Sequence, residues 1–232
     1  LACLYFIQNK ISEADIHFQA AMAFHATPSI FVEYSHFLMK QNRIDEALDY
    51  LQKCLTHIEE EEVGYALIES HTVVPAIASM IEVNPSVRFN FSAKGLALYL
   101  QTCCYLNKKD KSTGRESAQV FAQWVELTCQ QQQVSIAKQA NYYFLLGDSY
   151  EQLQEEGQAR VYYERACQLN ARFIRVVKSK FTPCYLPSDK ELFDNKRQTF
   201  QAHCHISPED TAMESLERLF RFTATKDELE VL

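Results

Sequence analysis

The sequence predicts an all-α fold built from antiparallel helical hairpins, and three observations lead to this prediction. Glycine and proline number only 5 and 6 in 232 residues, too few for the frequent turns of a many-stranded sandwich or barrel. The chain is 47% hydrophobic and 12% aromatic, which is enough apolar material for a packed core. Residues 8–14 read QNKISEA and residues 41–47 read QNRIDEA, a 33-residue offset typical of a helix-turn-helix repeat.

Two copies of this repeat are predicted within residues 1–57. Thr27 and Pro28 start the second copy, with Thr27 as N-cap and Pro28 in the first helical turn. The residues that fit the repeat spacing are Leu1, Ala2, Tyr5, Ala14, Phe18 and Ala21 in the first copy and Phe31, Tyr34, Ser35, Leu38, Ala47, Leu51 and Cys54 in the second. The first copy begins partway along its first helix, so we expect the chain to be part of a longer protein.

Residues 58–134 fit the repeat less well and are predicted to form a divergent helical segment. The run Glu59 to Glu62 is interpreted as a solvated helix start or loop, with a site for a basic partner as the alternative. Residues 73–82 predict a short buried helix that has Pro75 in its first turn.

A divergent hairpin is predicted at the end of this segment. Residues 92–106 are apolar nearly all round, which is typical of a helix buried on most sides. Residues 113–129 form the amphipathic partner helix, with Thr113 and Glu116 as a capping box. We therefore expect a long loop between the two helices, from Lys108 to Gly114.

The clearest repeat lies within residues 135–180, where residues 143–171 read YFLLGDSYEQLQEEGQARVYYERACQLNA. The residues at its key places are Tyr143, Leu146, Gly147, Tyr150, Ala159, Tyr163, Ala166 and Ala171. This stretch resembles the tetratricopeptide repeat, W-x2-L-G-x2-Y followed by A-x3-F-x2-A and P. The small Gly147 and Ala159 are expected to let two helices approach closely, while tyrosines fill the surrounding space.

The end of the chain is predicted to close the stack and then become irregular. Residues 172–180 continue a helix, interpreted as a cap, with a basic docking surface as the alternative. Residues 181–232 form a tail with one helix, which starts at Ser207 and runs to about Phe222.

The resemblance implies a right-handed superhelix that serves as a non-catalytic protein-interaction scaffold. In this family the first helices of successive repeats line a concave groove that takes up a partner's peptide or helix. The residues expected to bind the partner are Val32, His36, Met39, Phe144, Asp148, Glu151 and Gln152. Asp148 and Glu151 are expected to be solvated, and the absence of a basic clamp favours a basic or apolar partner. The alternative is a sensor or regulatory array of a larger multidomain enzyme or signalling ATPase.

Several other functions are disfavoured by the sequence. The net charge of −7 disfavours nucleic-acid binding, and no run approaches the roughly 18 apolar residues of a membrane span. No phosphate-binding glycine loop or catalytic motif occurs, and no cofactor is expected. The consecutive His203, Cys204 and His205 are interpreted as polar loop residues rather than metal ligands. The eight dispersed cysteines lack a C-x-x-C pair, which predicts reduced thiols and a cytoplasmic location.

Overall fold

The computed structural model describes residues 1–57, 61–65, 73–83, 89–131 and 134–180. Most of these residues are helical, which confirms the all-α prediction. The elements in chain order are α1 (Ala2–Ile7), α2 (Ile11–Phe24), α3 (Pro28–Lys40), α4 (Ile44–Thr56), β1 (Glu62–Tyr65), α5 (Pro75–Val83), β2 (Phe89–Ser92), α6 (Ala93–Asn107), α7 (Lys111–Gln130), α8 (Ile136–Gln152), α9 (Glu156–Leu169), a 3-10 turn (Ala171–Phe173) and α10 (Ile174–Lys180).

Four helical hairpins form the body of this region: α1 with α2, α3 with α4, α6 with α7, and α8 with α9. Thr27 caps α3 by accepting a hydrogen bond from the amide of Ile30, and Pro28 is the first helical residue, as predicted. The small residues also lie where the repeat pattern requires them. Ala159 is fully buried, and Gly147 lies against the ring of Tyr163.

The four hairpin turns share one backbone conformation. The residues with positive φ are Asn9 (58°), Asn42 (59°), Lys109 (60°) and Gln154 (65°). In each turn the next amide donates to the carbonyl five residues back, as Arg43 does to Leu38 at 2.9 Å. This is the Schellman arrangement that ends a helix, and it usually carries glycine at the positive-φ position. None of these four positions is glycine.

The third turn differs from the prediction of a long loop. The expected loop from Lys108 to Gly114 is wrong, because α7 begins at Lys111 and only three residues separate it from α6. Asp110, not Thr113, is the N-cap, and its carboxylate accepts hydrogen bonds from the amide (3.1 Å) and hydroxyl (2.7 Å) of Thr113. An Asp cap competes well with Thr, which is why the helix starts earlier.

Lys109→Gly is expected to stabilise the protein. Lysine in the left-handed region carries a steric cost of about 1–2 kcal/mol that glycine lacks, partly offset by the greater freedom of glycine in the unfolded chain. We expect a net gain of about 0.5–1 kcal/mol in urea unfolding. The matched control, Asn42→Gly, should gain less, because asparagine tolerates this conformation. A loss of stability in Lys109→Gly would contradict the turn geometry.

The segment between the second and third hairpins, here called the insertion, comprises β1, α5 and β2. Because α4 packs directly against α6, the two hairpins are neighbours and the insertion projects from between them. The strands pair in antiparallel register, from Glu62 opposite Ser92 to Tyr65 opposite Phe89. The predicted short helix is confirmed as α5, whereas the prediction of residues 58–134 as a divergent helical segment missed both strands.

The insertion contacts the first helices of the second, third and fourth hairpins. β1 contacts α3, β2 contacts α6, and α5 contacts α8, the 3-10 turn and α10. The insertion side chains buried in these contacts or against one another are Val63, Tyr65, Val73, Val74, Ala76, Ile77, Met80, Ile81, Phe89 and Phe91. Burial of these apolar side chains is the main force that holds the insertion on the hairpins.

The chain after α9 continues as predicted up to residue 180. The 3-10 turn and α10 extend the helical pattern, and Phe173, Val176 and Val177 are buried. The tail, including the helix predicted from Ser207 and the His203–His205 cluster, lies outside the described residues.

Candidate functional site

The candidate site is the face presented by α3, α6 and α8, here called the first-helix face. α6 contacts both α3 and α8, so the three helices lie side by side. Their C-terminal ends share one edge, because polar contacts join neighbouring hairpin turns there. Lys108 pairs with Asp45 at 2.6 Å, and Lys111 donates to the side chain of Gln154 at 2.6 Å.

The candidate residues on α3 are largely covered. Val32 is fully buried and His36 is 3% exposed, whereas Met39 is partly exposed. The ring of His36 meets the ring of Tyr65 from β1 edge to face, with centroids 6.1 Å apart. Burial, helped by nearby Lys40, lowers the pKa of His36 to about 3. The imidazole is therefore neutral, and its Nε2 has no hydrogen-bond partner within the described part of the chain.

Two of the candidate residues on α8 are also buried. Phe144 is fully buried between the rings of Tyr163 (5.2 Å) and Phe173 (4.9 Å), so it packs on its own hairpin and the following turn. Asp148 is only 6% exposed. Its Oδ2 accepts hydrogen bonds from the hydroxyl of Tyr99 at 2.8 Å and from the side-chain amide (Nε2) of Gln152 at 2.5 Å. The expectation that Asp148 is solvated is wrong, and Phe144, also a predicted partner-binding residue, is buried in the core.

A second tyrosine, Tyr163, forms a hydrogen bond with the carboxylate of Glu151. The hydroxyl of Tyr163 donates to Oε2 of Glu151 at 2.6 Å, and Glu151 is partly exposed. Burial first, and the adjacent carboxylates second, raise the pKa values of Tyr99 and Tyr163 well above the usual range. Both tyrosines therefore stay protonated and remain hydrogen-bond donors to the carboxylates.

The candidate residues that remain accessible are Met39, Glu151 and Gln152, here called the turn-edge rim. All three lie in the last turn of α3 or α8, at the edge where the hairpin turns meet. Gln152 is exposed and the other two are partly exposed. The sequence pattern placed the candidate residues on these two helices but did not indicate which of them are buried by neighbouring segments.

The insertion is anchored by polar contacts at its strands. Oε2 of Glu61 accepts hydrogen bonds from the amide (3.0 Å) and hydroxyl (2.6 Å) of Ser29, at the start of α3. Burial opposes ionisation of Glu61, but these hydrogen bonds keep the pKa of its carboxyl below the usual value. Glu62 pairs with Lys138 of α8. The interpretation of this acidic run as solvated therefore fails for Glu61, which is partly buried, whereas Glu62 is exposed as expected.

Sequence reasoning missed the anchoring residues on the hairpins. Tyr142 accepts a hydrogen bond from the amide of Ser92 at 2.7 Å, which ties the end of β2 to α8. Tyr99 and Ser29 were also missed as partners of carboxylates. A tyrosine within an apolar helix is the one signal that could have identified Tyr99, because a buried hydroxyl requires a partner. No local pattern links Ser29 with Glu61.

The described residues contain no group of three or more histidine, cysteine, aspartate or glutamate side chains that could hold a metal ion. Six cysteines lie in this part of the chain, and all six are free thiols. Burial raises the pKa values of Cys54 and Cys104 to about 12, so neither is an activated nucleophile. In the same part of the chain, no helix has the length and apolar character needed to cross a membrane.

Comparison with protein families agrees with this architecture of stacked helical hairpins. The family model described as Tetratricopeptide repeat matches residues 28–56 and residues 140–173, which correspond to the second and fourth hairpins. The second and fourth hairpins thus match the tetratricopeptide repeat. Proteins with these repeats generally mediate protein–protein interactions and are typically non-catalytic. Searches of curated proteins and of solved structures found no significant match.

Proposed function

We propose that this chain is a non-catalytic interaction scaffold that binds a basic or apolar segment of a partner protein at the first-helix face. The observation that carries the proposal is the position of Asp148 and Glu151 in the last helical turns of α8. Acidic side chains near the end of α8 favour a partner segment that carries positive charge, by electrostatic complementarity.

The partner contact is assigned to the turn-edge rim. Glu151 supplies a carboxylate oriented by Tyr163, Gln152 supplies an exposed amide, and Met39 supplies an adaptable apolar surface. Asp148 lies behind them and adds negative potential without direct exposure. Val32, His36 and Phe144 are buried and are not proposed to touch the partner.

The proposal is tested by binding of the purified chain to arrays of synthetic peptides of about 15 residues. We expect basic amphipathic peptides to bind in preference to acidic ones. Glu151→Gln with Gln152→Lys keeps an acceptor for Tyr163 but reverses the local charge. Loss of a charged hydrogen bond worth about 1.5–3 kcal/mol corresponds to at least about 10-fold weaker binding.

The matched control is Glu116→Gln with Gln119→Lys, which makes the same charge change on the exposed side of α7. This control should bind the peptides as the unaltered chain does. Preference for acidic peptides, or equal weakening in both double variants, would contradict a partner site at the turn-edge rim.

A further inference from the structure

The insertion places a helix of its own chain against α8. The buried side chains of α5 are Ala76, Ile77, Met80 and Ile81, whereas Glu82 is exposed. The buried positions recur at i, i+1, i+4 and i+5, so α5 is an amphipathic helix with one apolar side. It contacts α8, the 3-10 turn and α10. This arrangement matches the recognition mode in which a short helix lies on an apolar surface.

The contacts of α5 differ in kind from those of the strands beside it. The polar anchors of the insertion, from Glu61, Glu62 and Ser92, all belong to β1 and β2 or the residue next to them. Among the described residues, no hydrogen bond or ion pair joins α5 to a hairpin, and Ser79 bonds only within its own helix. Within the described part of the chain, α5 is therefore held against the hairpins by apolar contact.

The helicity of α5 depends on this contact. It has nine residues, and an isolated helix shorter than about 12–15 residues is marginal in water. Separation from α8 would therefore cost α5 both its apolar contacts and its helical structure. The anchors on the strands would not have to break for α5 to leave.

We infer that α5 is an intramolecular occupant of a helix-binding surface formed by α8, the 3-10 turn and α10. The partner that fits this surface is a short amphipathic helix with apolar residues at i, i+1, i+4 and i+5. Such a helix displaces α5 while β1 and β2 stay anchored. Because α5 is tethered to the surface by the chain, its effective concentration there is high. Competition from α5 therefore lowers the apparent affinity of the surface for any other helix. This inference rests on the proposed function and extends it to a second part of the same face.

The test uses a fluorescein-labelled peptide with the sequence of residues 73–83, VVPAIASMIEV. Ile77→Asp with Met80→Asp in the full chain removes the apolar contacts of α5. We expect this variant to bind the peptide at least about 10-fold more tightly than the unaltered chain. The matched control, Ala78→Asp with Ser79→Asp, changes two partly exposed positions and should bind as weakly as the unaltered chain.

A peptide that carries the same two aspartates at its own Ile77 and Met80 positions should not bind any of the proteins. A folded variant without a gain in peptide binding would overturn the inference. Hydrogen exchange in the unaltered chain gives a second readout if the variant fails to fold. The amides of α5 should then exchange faster than those of α8, and equally slow exchange in both helices would overturn the inference.

The two proposals fail independently. The basic-peptide experiment changes Glu151 and Gln152, neither of which belongs to α5, and the peptide here carries no basic side chain. One possible result is that the α5 variant gains peptide binding while the rim variant still binds basic peptides normally. That result would support the helix-binding surface and reject the rim as the partner site. The reverse result would retain the rim and reject displacement of α5.

Discussion

Asp148→Lys is expected to destabilise the protein by about 3–5 kcal/mol, because it places an ammonium group where a buried carboxylate now accepts two hydrogen bonds. The hydroxyl of Tyr99 would lose its acceptor in the interior, which adds to the cost. Such a loss is a large part of the total stability of a typical domain. Urea unfolding followed by circular dichroism measures it.

Two controls separate burial from charge at this position. Asp148→Asn keeps an oxygen acceptor for Tyr99 and removes the buried charge, so we expect a change of about 1 kcal/mol or less. Glu116→Lys introduces a lysine at an exposed position of α7 and should change stability by about 0.5 kcal/mol or less. Equal stability of Asp148→Lys and the original chain would mean that Asp148 is solvated, as the sequence pattern predicts, and that the packing of α6 on α8 is incorrect.

Gly147→Ala is expected to destabilise the protein although alanine is the better helix former. A Cβ atom at position 147 would lie 2.6 Å from Cδ1 and 2.7 Å from Cγ of Tyr163. That ring cannot shift easily, because it is fully buried against Phe144 and its hydroxyl is bound to Glu151. Overpacking of this kind costs about 1–3 kcal/mol.

The matched control is Gly157→Ala in α9, where a Cβ atom would have no neighbour within 4 Å. This substitution should stabilise the protein by about 0.5–1 kcal/mol through helix propensity. The same chemical change is thus expected to have opposite signs at the two positions. Changes of the same sign in the urea midpoints would contradict the close approach of α8 and α9.

The hairpins could be predicted from the sequence because their determinants are local. The spacing from Tyr143 to Ala166 and the Thr27–Pro28 helix start each involve residues within one repeat. The third turn was mispredicted for a local reason as well, since Asp110 and Thr113 are both acceptable N-caps and only the backbone conformation at Lys109 decides between them.

Burial of the covered candidate residues depends on contacts between residues that are far apart in the sequence. Each strand has only four residues, and β1 pairs with a strand that follows α5, so neither strand gives a strong periodic signal. Asp148 is buried by contact with Tyr99, 49 residues earlier in the chain. Helical period indicates which side chains share a face, but it does not indicate whether another segment covers that face.

The insertion lies on the first-helix face and leaves the turn-edge rim accessible. Nuclear Overhauser effects between selectively labelled aromatic rings test this arrangement most directly. We expect contacts between His36 and Tyr65 and between Phe91 and Tyr142, whose ring centroids are each 6.1 Å apart. Absence of both contacts in a protein that keeps the contact between the rings of Phe144 and Phe173 would contradict this arrangement, because the hairpins would then fold with their first-helix face uncovered.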